Sequence, residues 1–462
     1  MTHTNDARTD RNRIASALSP AALLALSTLE DVGYEAWVVG GFVRDALRGV
    51  PCSDVDIASS AHWQEAQACF RDAGFKTRET GTKHGTLTVI IQGEAFEVTT
   101  FRTDGSYSDN RRPDSVSFVS NIQEDLKRRD FTINAMAFHP QRGLIDPFHG
   151  QEDLEAGIIR AVGNPDQRFR EDGLRILRAC RFASQLGFQL DPETRQAMWV
   201  NKVLMNRVSI ERITHELDLL LCGQHVHHAL MCTSDVLESI LPEITACKGF
   251  DQRTPYHIYD VWEHIAYVVQ NTPPNRLVRW AALFHDIGKP SAFFTHEDGV
   301  GHFYGHARIS EHLARGVMCR LKMSPGFIEK VILLVRIHDD VIPATPRSVK
   351  RALAKLGGNT ELFRALCDLK RADALSQAPH CHERVELADE LERVLDQVIA
   401  SDDTFSLKGL AITGRDVIAA GVPEGPEVGV ILQAALNAVI DEQIGNDPTE
   451  LQAFVEDWVR SQ

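Results

Sequence analysis

Two aspartates one residue apart, Asp54 and Asp56, interrupt the apolar run DVDIAS, a few positions after a Gly40-Gly41 pair and Arg44. Residues two apart on a strand project to one face. Paired carboxylates there repel unless a cation lies between them. A D-x-D alone is common at solvent-facing strand entries, but here the glycine pair follows an apolar strand and precedes a helix starting near Phe42. That arrangement brings backbone close to phosphate oxygens, and Arg44 adds a charge-assisted donor for the same anion. Carboxylates that hold two Mg²⁺ ions can activate an attacking hydroxyl and stabilise a departing pyrophosphate in an in-line displacement. Such a site needs a third carboxylate from a neighbouring strand. Glu97 in FEVTTF is the candidate, its plainer reading being an exposed, salt-bridged strand residue.

Two further clusters carry charge. RRDFTINAMAF (128–138) sets Arg129, Asp130 and Asn134 at the expected start of an apolar helix, with Asp130 or Thr132 near its cap. A capped helix accounts for Asp130 but not for the arginines before it. REDGLRILRACRF (170–182) spaces Asp172, Arg175, Arg178 and Arg181 at three-residue intervals, a slowly winding stripe on a helix whose Leu174, Leu177 and Phe182 face a core. A solvated basic face is the plain reading of such a stripe. An acid and an arginine one turn apart also form a donor and acceptor pair able to read the Watson–Crick edge of a base, which leaves the other arginines for phosphates.

The segments VWEHIAYVV, ALFHDIGKP, YGHARISEHLA, LLVRIHDD and LKRADALS bring a histidine-rich pattern, with His285 and Asp286 adjacent and followed by Ile-Gly-Lys. The pattern resembles the HD-domain fingerprint of metal-dependent phosphohydrolases. The resemblance implies His264, His285, Asp286 and Asp373 as metal ligands, with His306 and His338 placed for a second ion. Imidazole and carboxylate donors from separate helices suit a divalent metal such as Ni²⁺, Mn²⁺ or Mg²⁺ that activates water against a phosphate ester. The alternative is a degenerate HD fold that only connects its neighbours.

Positioning these groups calls for two kinds of scaffold. Residues 20–150 carry the strand signals: EAWVVGG, DVDIAS, and TLTVIIQGEAFEVTTF as two strands about Gly93, with helices at 42–49 and 61–73. Residues 103–117 have the Asp, Ser, Gly and Arg content of a mobile loop. From about 151 the strand pattern stops, and amphipathic helical periodicity runs on with breaks near 250–257, 295–305 and 401–408. The expected fold class is α+β, a small mixed-sheet head followed by helical domains. The boundaries read as a disordered or extended 1–20, a head at 21–150, a neck at 151–250, the HD region at 255–380 and a helical tail at 385–462.

Composition limits the partners. At 462 residues, 43% hydrophobic and 24% charged, the chain has length for two to four domains. A net charge of -15 argues against coating nucleic acid through a general positive field. Between Arg160 and Arg212, however, ten basic residues face six acidic ones, while the last eighty residues carry paired acids. An anionic polymer would meet the middle of the chain and avoid much of the tail. The polar start, and the lack of any stretch near the ~20 apolar residues of a membrane span, lead us to expect a soluble, cytoplasmic protein. Nine scattered cysteines, odd in number and never C-x-x-C, read as reduced and mostly buried.

Taken together, VVGGFVRDALRG with SDVDIA, RRDFTINAMAF and EDGLRILRACRFASQLGF resemble, in order over about 36–190, the class II (bacterial-type) tRNA nucleotidyltransferases. These are the CCA-adding enzymes and their bacterial poly(A) polymerase relatives. The resemblance implies a polymerase-β-like head, Mg²⁺ on Asp54 and Asp56, triphosphate contacts from Gly41 and Arg44, and a ribose and phosphate contact from Arg129. It also implies a protein template for C and A at Asp172 and Arg175, with Arg178 and Arg181 beside it. The partners would be tRNA, CTP and ATP, the tRNA 3′-hydroxyl attacking the α-phosphate. Residues 103–117 resemble the loop linked to the switch from C to A addition, and GLAITGRDVIAAGVPEGPEVGVILQAALNAVI resembles the module that grips the tRNA elbow. An A-adding enzyme or a poly(A) polymerase on the same scaffold is the near alternative, though the acidic tail weighs against the latter. A phosphohydrolase with an RNA-binding head is the distant one. Oligomeric state is not legible in the sequence.

Overall fold

Alternation along the first strand sends its side chains into two cores. Ala36 and Val38 enter one core with Ile57, Leu87, Val89, Phe96 and Val98. Trp37 and Val39 enter the other with Ala58, Phe101, Ile122 and Leu126, as the two-residue repeat of a strand requires. The computed structural model describes residues 3–51, 54–81, 85–104, 116–297, 299–401 and 404–461. Cys52 and most of the expected switch loop, 105–115, lie outside them.

The strands are β1 (Ala36–Val39), β2 (Asp56–Ser59), β3 (Lys76–Gly81), β4 (Thr86–Ile91), β5 (Glu94–Thr100), β6 (Arg102–Asp104), β7 (Val116–Phe118), β8 (Ala137–His139) and β9 (Gly143–Ile145). Seven of them form one mixed sheet in the order β3-β4-β5-β2-β1-β8-β9, and β6 pairs with β7. Only β2 and β5 run parallel in it, with Asp56 opposite Glu97; the other pairs are antiparallel. Helices Pro20–Glu30, Gly41–Leu47 and Trp63–Asp72 close the first core through Leu26, Phe42 and Phe70, and helix Ile122–Lys127 closes the second.

The chain divides into two compact units, Met1–Leu220 with Cys232–Ile240, and Leu221–Met231 with Leu241–Gln462. In the first, the head sheet is followed by helices Pro165–Glu171, Leu174–Leu186 and Pro192–Asn201. In the second, helices Val261–Asn271, Arg276–Phe284, His306–Arg320, Pro325–Ile337 and Thr360–Leu375 surround the histidine-rich segments. Further on, helices Pro426–Ile440 and Pro448–Arg460 share a core of Ile431, Leu436, Leu451 and Val455.

Four expectations need correction. The first twenty residues include a helix, His3–Ala17, whose Ile14 is buried in the head core. RRDFTINAMAF does not open a helix: a single 3-10 turn, Thr132–Asn134, leads into β8, so Met136, Ala137 and Phe138 join the sheet cores while buried Phe131 packs on Phe182. Strands do not stop at 151, since Ile158–Ile159 pairs with Gln189–Leu190 and Phe294–Thr295 with Gly301–His302. Of the eight described cysteines, all free, Cys180, Cys247, Cys367 and Cys381 are buried and the other four are not. No helix among the described residues is long and apolar enough to cross a membrane.

Candidate functional site

The carboxylates of the opening motif stand at the mouth of β2. Asp56 begins the strand and Asp54 precedes it, and both line a cleft of about 680 Å³. Glu97 lies level with Asp56 on the parallel neighbour β5, while Thr86 and Thr99 form the cleft wall on that side. Partial removal from water, then the charges of Glu97 and Asp54, push the Asp56 carboxyl up to about 6 despite the opposing pull of Arg129. Like charges held this close fit a divalent cation, which would relieve that repulsion.

Across the cleft stand eight arginines, at 44, 102, 128, 129, 175, 178, 181 and 212, with Asp130 and Asp172 among them. Gly40 makes the tight passage from β1 possible. Its φ is +73°, and a Cβ there would lie 2.9 Å from the Arg129 guanidinium. Arg129 Nη2 donates to buried Asp125 (3.3 Å), yet its buried Nε finds no acceptor among the described residues. An unsatisfied buried donor of a cation is costly. Arg44 donates to Asp45 (2.9 and 2.7 Å) and, through Nη1, to Asn134 Oδ1 (2.7 Å). Asn134 donates in turn to Asp130 (3.3 Å), and Arg178 Nε donates to the other oxygen of Asp130 (2.7 Å). Burial alone would raise the Asp130 carboxyl; the Arg178 guanidinium overrides it and holds it down at about 2.

The acid and arginine expected on one helix are separated by a break. Helix Pro165–Glu171 ends at Asp172, and Gly173 starts the next helix where a Cβ would meet Leu204 O at 2.8 Å. Asp172 caps that helix through Leu174 N–H (3.0 Å) and accepts from Arg212 Nη2 (2.7 Å). Arg175 donates instead to Glu171 (2.6 Å) and to the carbonyls of Arg168 and Arg128. Phe182 lies beneath the guanidiniums of Arg44, Arg178 and Arg181, at 4.5–5.5 Å from its ring centre. Buried Glu216 faces Arg181 Nε at 3.2 Å. Arg212 entered the sequence analysis only as the end of a basic segment and Glu216 not at all; their partners lie thirty to forty residues away and no local pattern names them.

A second cluster occupies the other unit. Asp286 Oδ2 is 3.3 Å from His264 Nε2 and 3.2 Å from His285 Nε2, and its Oδ1 is 3.2 Å from His306 Nε2 and 3.6 Å from His338 Nε2. Asp373 Oδ1 is 3.1 Å from His264 Nε2. The Nδ1 atoms of the four histidines face the carbonyls of Ser376, Ala282, Phe303 and Val335 at 2.7–3.3 Å. Nδ1 therefore carries a proton, and Nε2 is the nitrogen each ring turns toward the carboxylates, where a metal would bind; burial alone would lower His264 and His306, but Asp286 and Asp373 raise the first and Asp286 the second. Two three-residue groups share Asp286, His264 with His285 and His306 with His338. All six predicted residues come together here. Sequence reading quoted Lys289 in Ile-Gly-Lys without a role and missed Gln252 and Gln377: Lys289 donates to Asp286 (2.6 Å) and to Gln252 (2.9 Å), and Gln377 donates to Asp373 (3.0 Å). The i to i+4 spacing of Asp373 and Gln377 was the available signal.

Residues 36–160 match the family described as Poly A polymerase head domain, 187–248 the Probable RNA and SrmB- binding site of polymerase A, and 255–378 the HD domain. A CCA-adding enzyme of Geobacillus thermodenitrificans is 37% identical over 453 residues, spanning 96% of this chain and 97% of its own. That of Geobacillus stearothermophilus is 36% identical over 438 residues, 94% of this chain and 96% of its own. Among solved structures, the Bacillus stearothermophilus CCA-adding enzyme in complex with CTP is similar at a TM-score of 0.73 and 31% identity, covering 96% of this chain and 99% of that one. The Thermotoga maritima CCA-adding enzyme complexed with tRNA_CCA shares the fold at a TM-score of 0.57 and 21% identity, over 97% and 98% of the two chains.

Proposed function

This chain belongs to the CCA-adding enzymes, and we propose that it builds the CCA end of tRNA in the cytoplasm from CTP and ATP, with no nucleic-acid template. The observation that carries the reading is one cleft that joins the Asp54 and Asp56 carboxylates to an arginine wall ending at Asp172 and Arg175. In the reaction the tRNA 3′-hydroxyl loses its proton to water, its oxygen bonds to the α-phosphorus, the bond from that phosphorus to the oxygen bridging to the β-phosphate breaks, and pyrophosphate leaves. Asp54, Asp56 and Glu97 are the residues to hold Mg²⁺, which when bound supplies charge neutralisation and lowers the pKa of the attacking hydroxyl.

The chain's own groups do the rest. Gly41 and Arg44 receive the triphosphate, and Arg129 turns its unsatisfied Nε toward a phosphate or ribose oxygen. Asp130 and Asn134 fix Arg178 and Arg44 in the wall of the cleft. Asp172 and Arg175 read the base edge by exchanging their present partners, Arg212 and Glu171, for those of the base, while Arg178 and Arg181 take up phosphate charge. In this division 21–150 is the catalytic head, 151–250 selects nucleotide and binds tRNA, and 385–462 holds the body of the tRNA.

Residues 255–380 form an HD centre that takes a divalent metal such as Ni²⁺, Mn²⁺ or Mg²⁺ and hydrolyses phosphate esters. Its donor set of inward Nε2 atoms about a shared carboxylate supports this. Asp54→Ala tests the main reading: incorporation of labelled CTP into tRNA should fall at least about a thousandfold with unchanged circular dichroism. An unaltered rate would sink it.

A further inference from the structure

A short hairpin beside the histidine centre carries rings on both faces. Its strands, Phe294–Thr295 and Gly301–His302, pair with Phe294 opposite His302, and Gly301 is pressed so close to Gln252 that a Cβ would lie 2.2 Å from its carbonyl oxygen. The inner face packs inward: Phe293 meets Phe250 and Phe303 at 5.2 and 5.5 Å, and Lys289, the donor to Asp286, lies 5.4 Å over Phe303. The outer face presents Phe294, His296, His302 and Tyr304. Phe294 and Tyr304 each lie 5.4–5.5 Å from His302, their rings 27° and 21° from its plane, and His296 meets His302 edge-on at 4.5 Å. Tyr304 is 73% exposed and Phe294 37%.

We infer that this outer face is a stacking platform for bases of single-stranded RNA, seating an RNA end whose phosphate ester enters the HD centre. The inference rests on the reading of that centre as a phosphate-ester site. Three observations favour a base over a lipid or an apolar helix. Imidazole and phenol rings offer flat π-faces with polar edges, which suit any base without selecting one. The platform is held to the centre by chain geometry, Tyr304 being two residues, at most about 7 Å, from His306. Arg308, one turn further on and exposed, offers a cation to the RNA backbone.

The test uses the full-length protein and a short single-stranded RNA that contains 4-thiouridine and ends in a 3′-phosphate. Photocrosslinks are mapped by mass spectrometry, and metal content is measured on the same sample. We expect crosslinks in the 293–304 peptide, and their yield should fall about tenfold in Phe294→Ala/Tyr304→Ala but not in Tyr304→Trp, with crosslinks to the head unchanged. Crosslinks confined to other peptides, or a yield indifferent to both substitutions, would overturn the platform. Platform crosslinks on a protein that takes up no metal would instead sink the HD reading and leave the platform standing.

Discussion

Asp56 shows how a single carboxyl couples folding to function. Its pKa is raised from 3.8 to about 6, so between those values the folded, metal-free protein holds a proton that the unfolded chain has released. Stability therefore falls as pH rises through this window and stays lower above it. Thermal melts in chelator should show that slope, and Asp56→Asn should remove it and raise the melting temperature at pH 7 while abolishing incorporation. A wild-type melting temperature that climbs steadily from pH 4 to 6, with no difference from Asp56→Asn at pH 7, would contradict this account. Mg²⁺ should restore the loss in the wild type alone.

At the scale of elements, the site depends on turns more than on helices. The Thr132–Asn134 turn, which carries Asn134 and follows Asp130, is pinned by Asp153: Thr132 Oγ1 donates to it (2.7 Å), and so does Arg160. Gly150, the first residue of the helix Gly150–Ala156 that carries Asp153, is so close that a Cβ would lie 2.3 Å from Thr132 O. Gly150→Ala should cost about 1–3 kcal/mol of stability by overpacking. It should also raise the KM for CTP severalfold by moving Asn134 and Asp130, which steady-state kinetics and urea melts would check. An unchanged KM would separate the turn from nucleotide binding.

The strands about Gly93 and the helices at 42–49 and 61–73 were legible because strong periodicity and turn residues agreed there, whereas of the D-x-D pair only Asp56 lies in the strand and Asp54 precedes it. FTINAMAF was misread because a short apolar run of small residues suits a buried strand as well as a helix. Asp172 was placed a turn inside a helix because the three-residue spacing of charges continues across the break at Gly173. Its pairing with Arg212 depends on tertiary packing, which no local pattern encodes.

For the whole molecule, two compact units each carry a site of their own. His285 is fully buried beside Asp286 (3.2 Å), so His285→Ala should strip metal from the HD centre, read by mass spectrometry. CCA incorporation should stay within about twofold, as independent sites allow; a collapse of incorporation in a folded variant would join the two activities. The acidic tail weighs against an enzyme that polymerises freely, since an anionic polymer would avoid it. The most direct measurement is incorporation of labelled CTP and ATP, singly and together with Mg²⁺, into tRNA transcripts ending at the discriminator base, at C and at CC. The account predicts ordered addition of C, C and A that then stops; entry of ATP alone, or A addition that runs on, would contradict it.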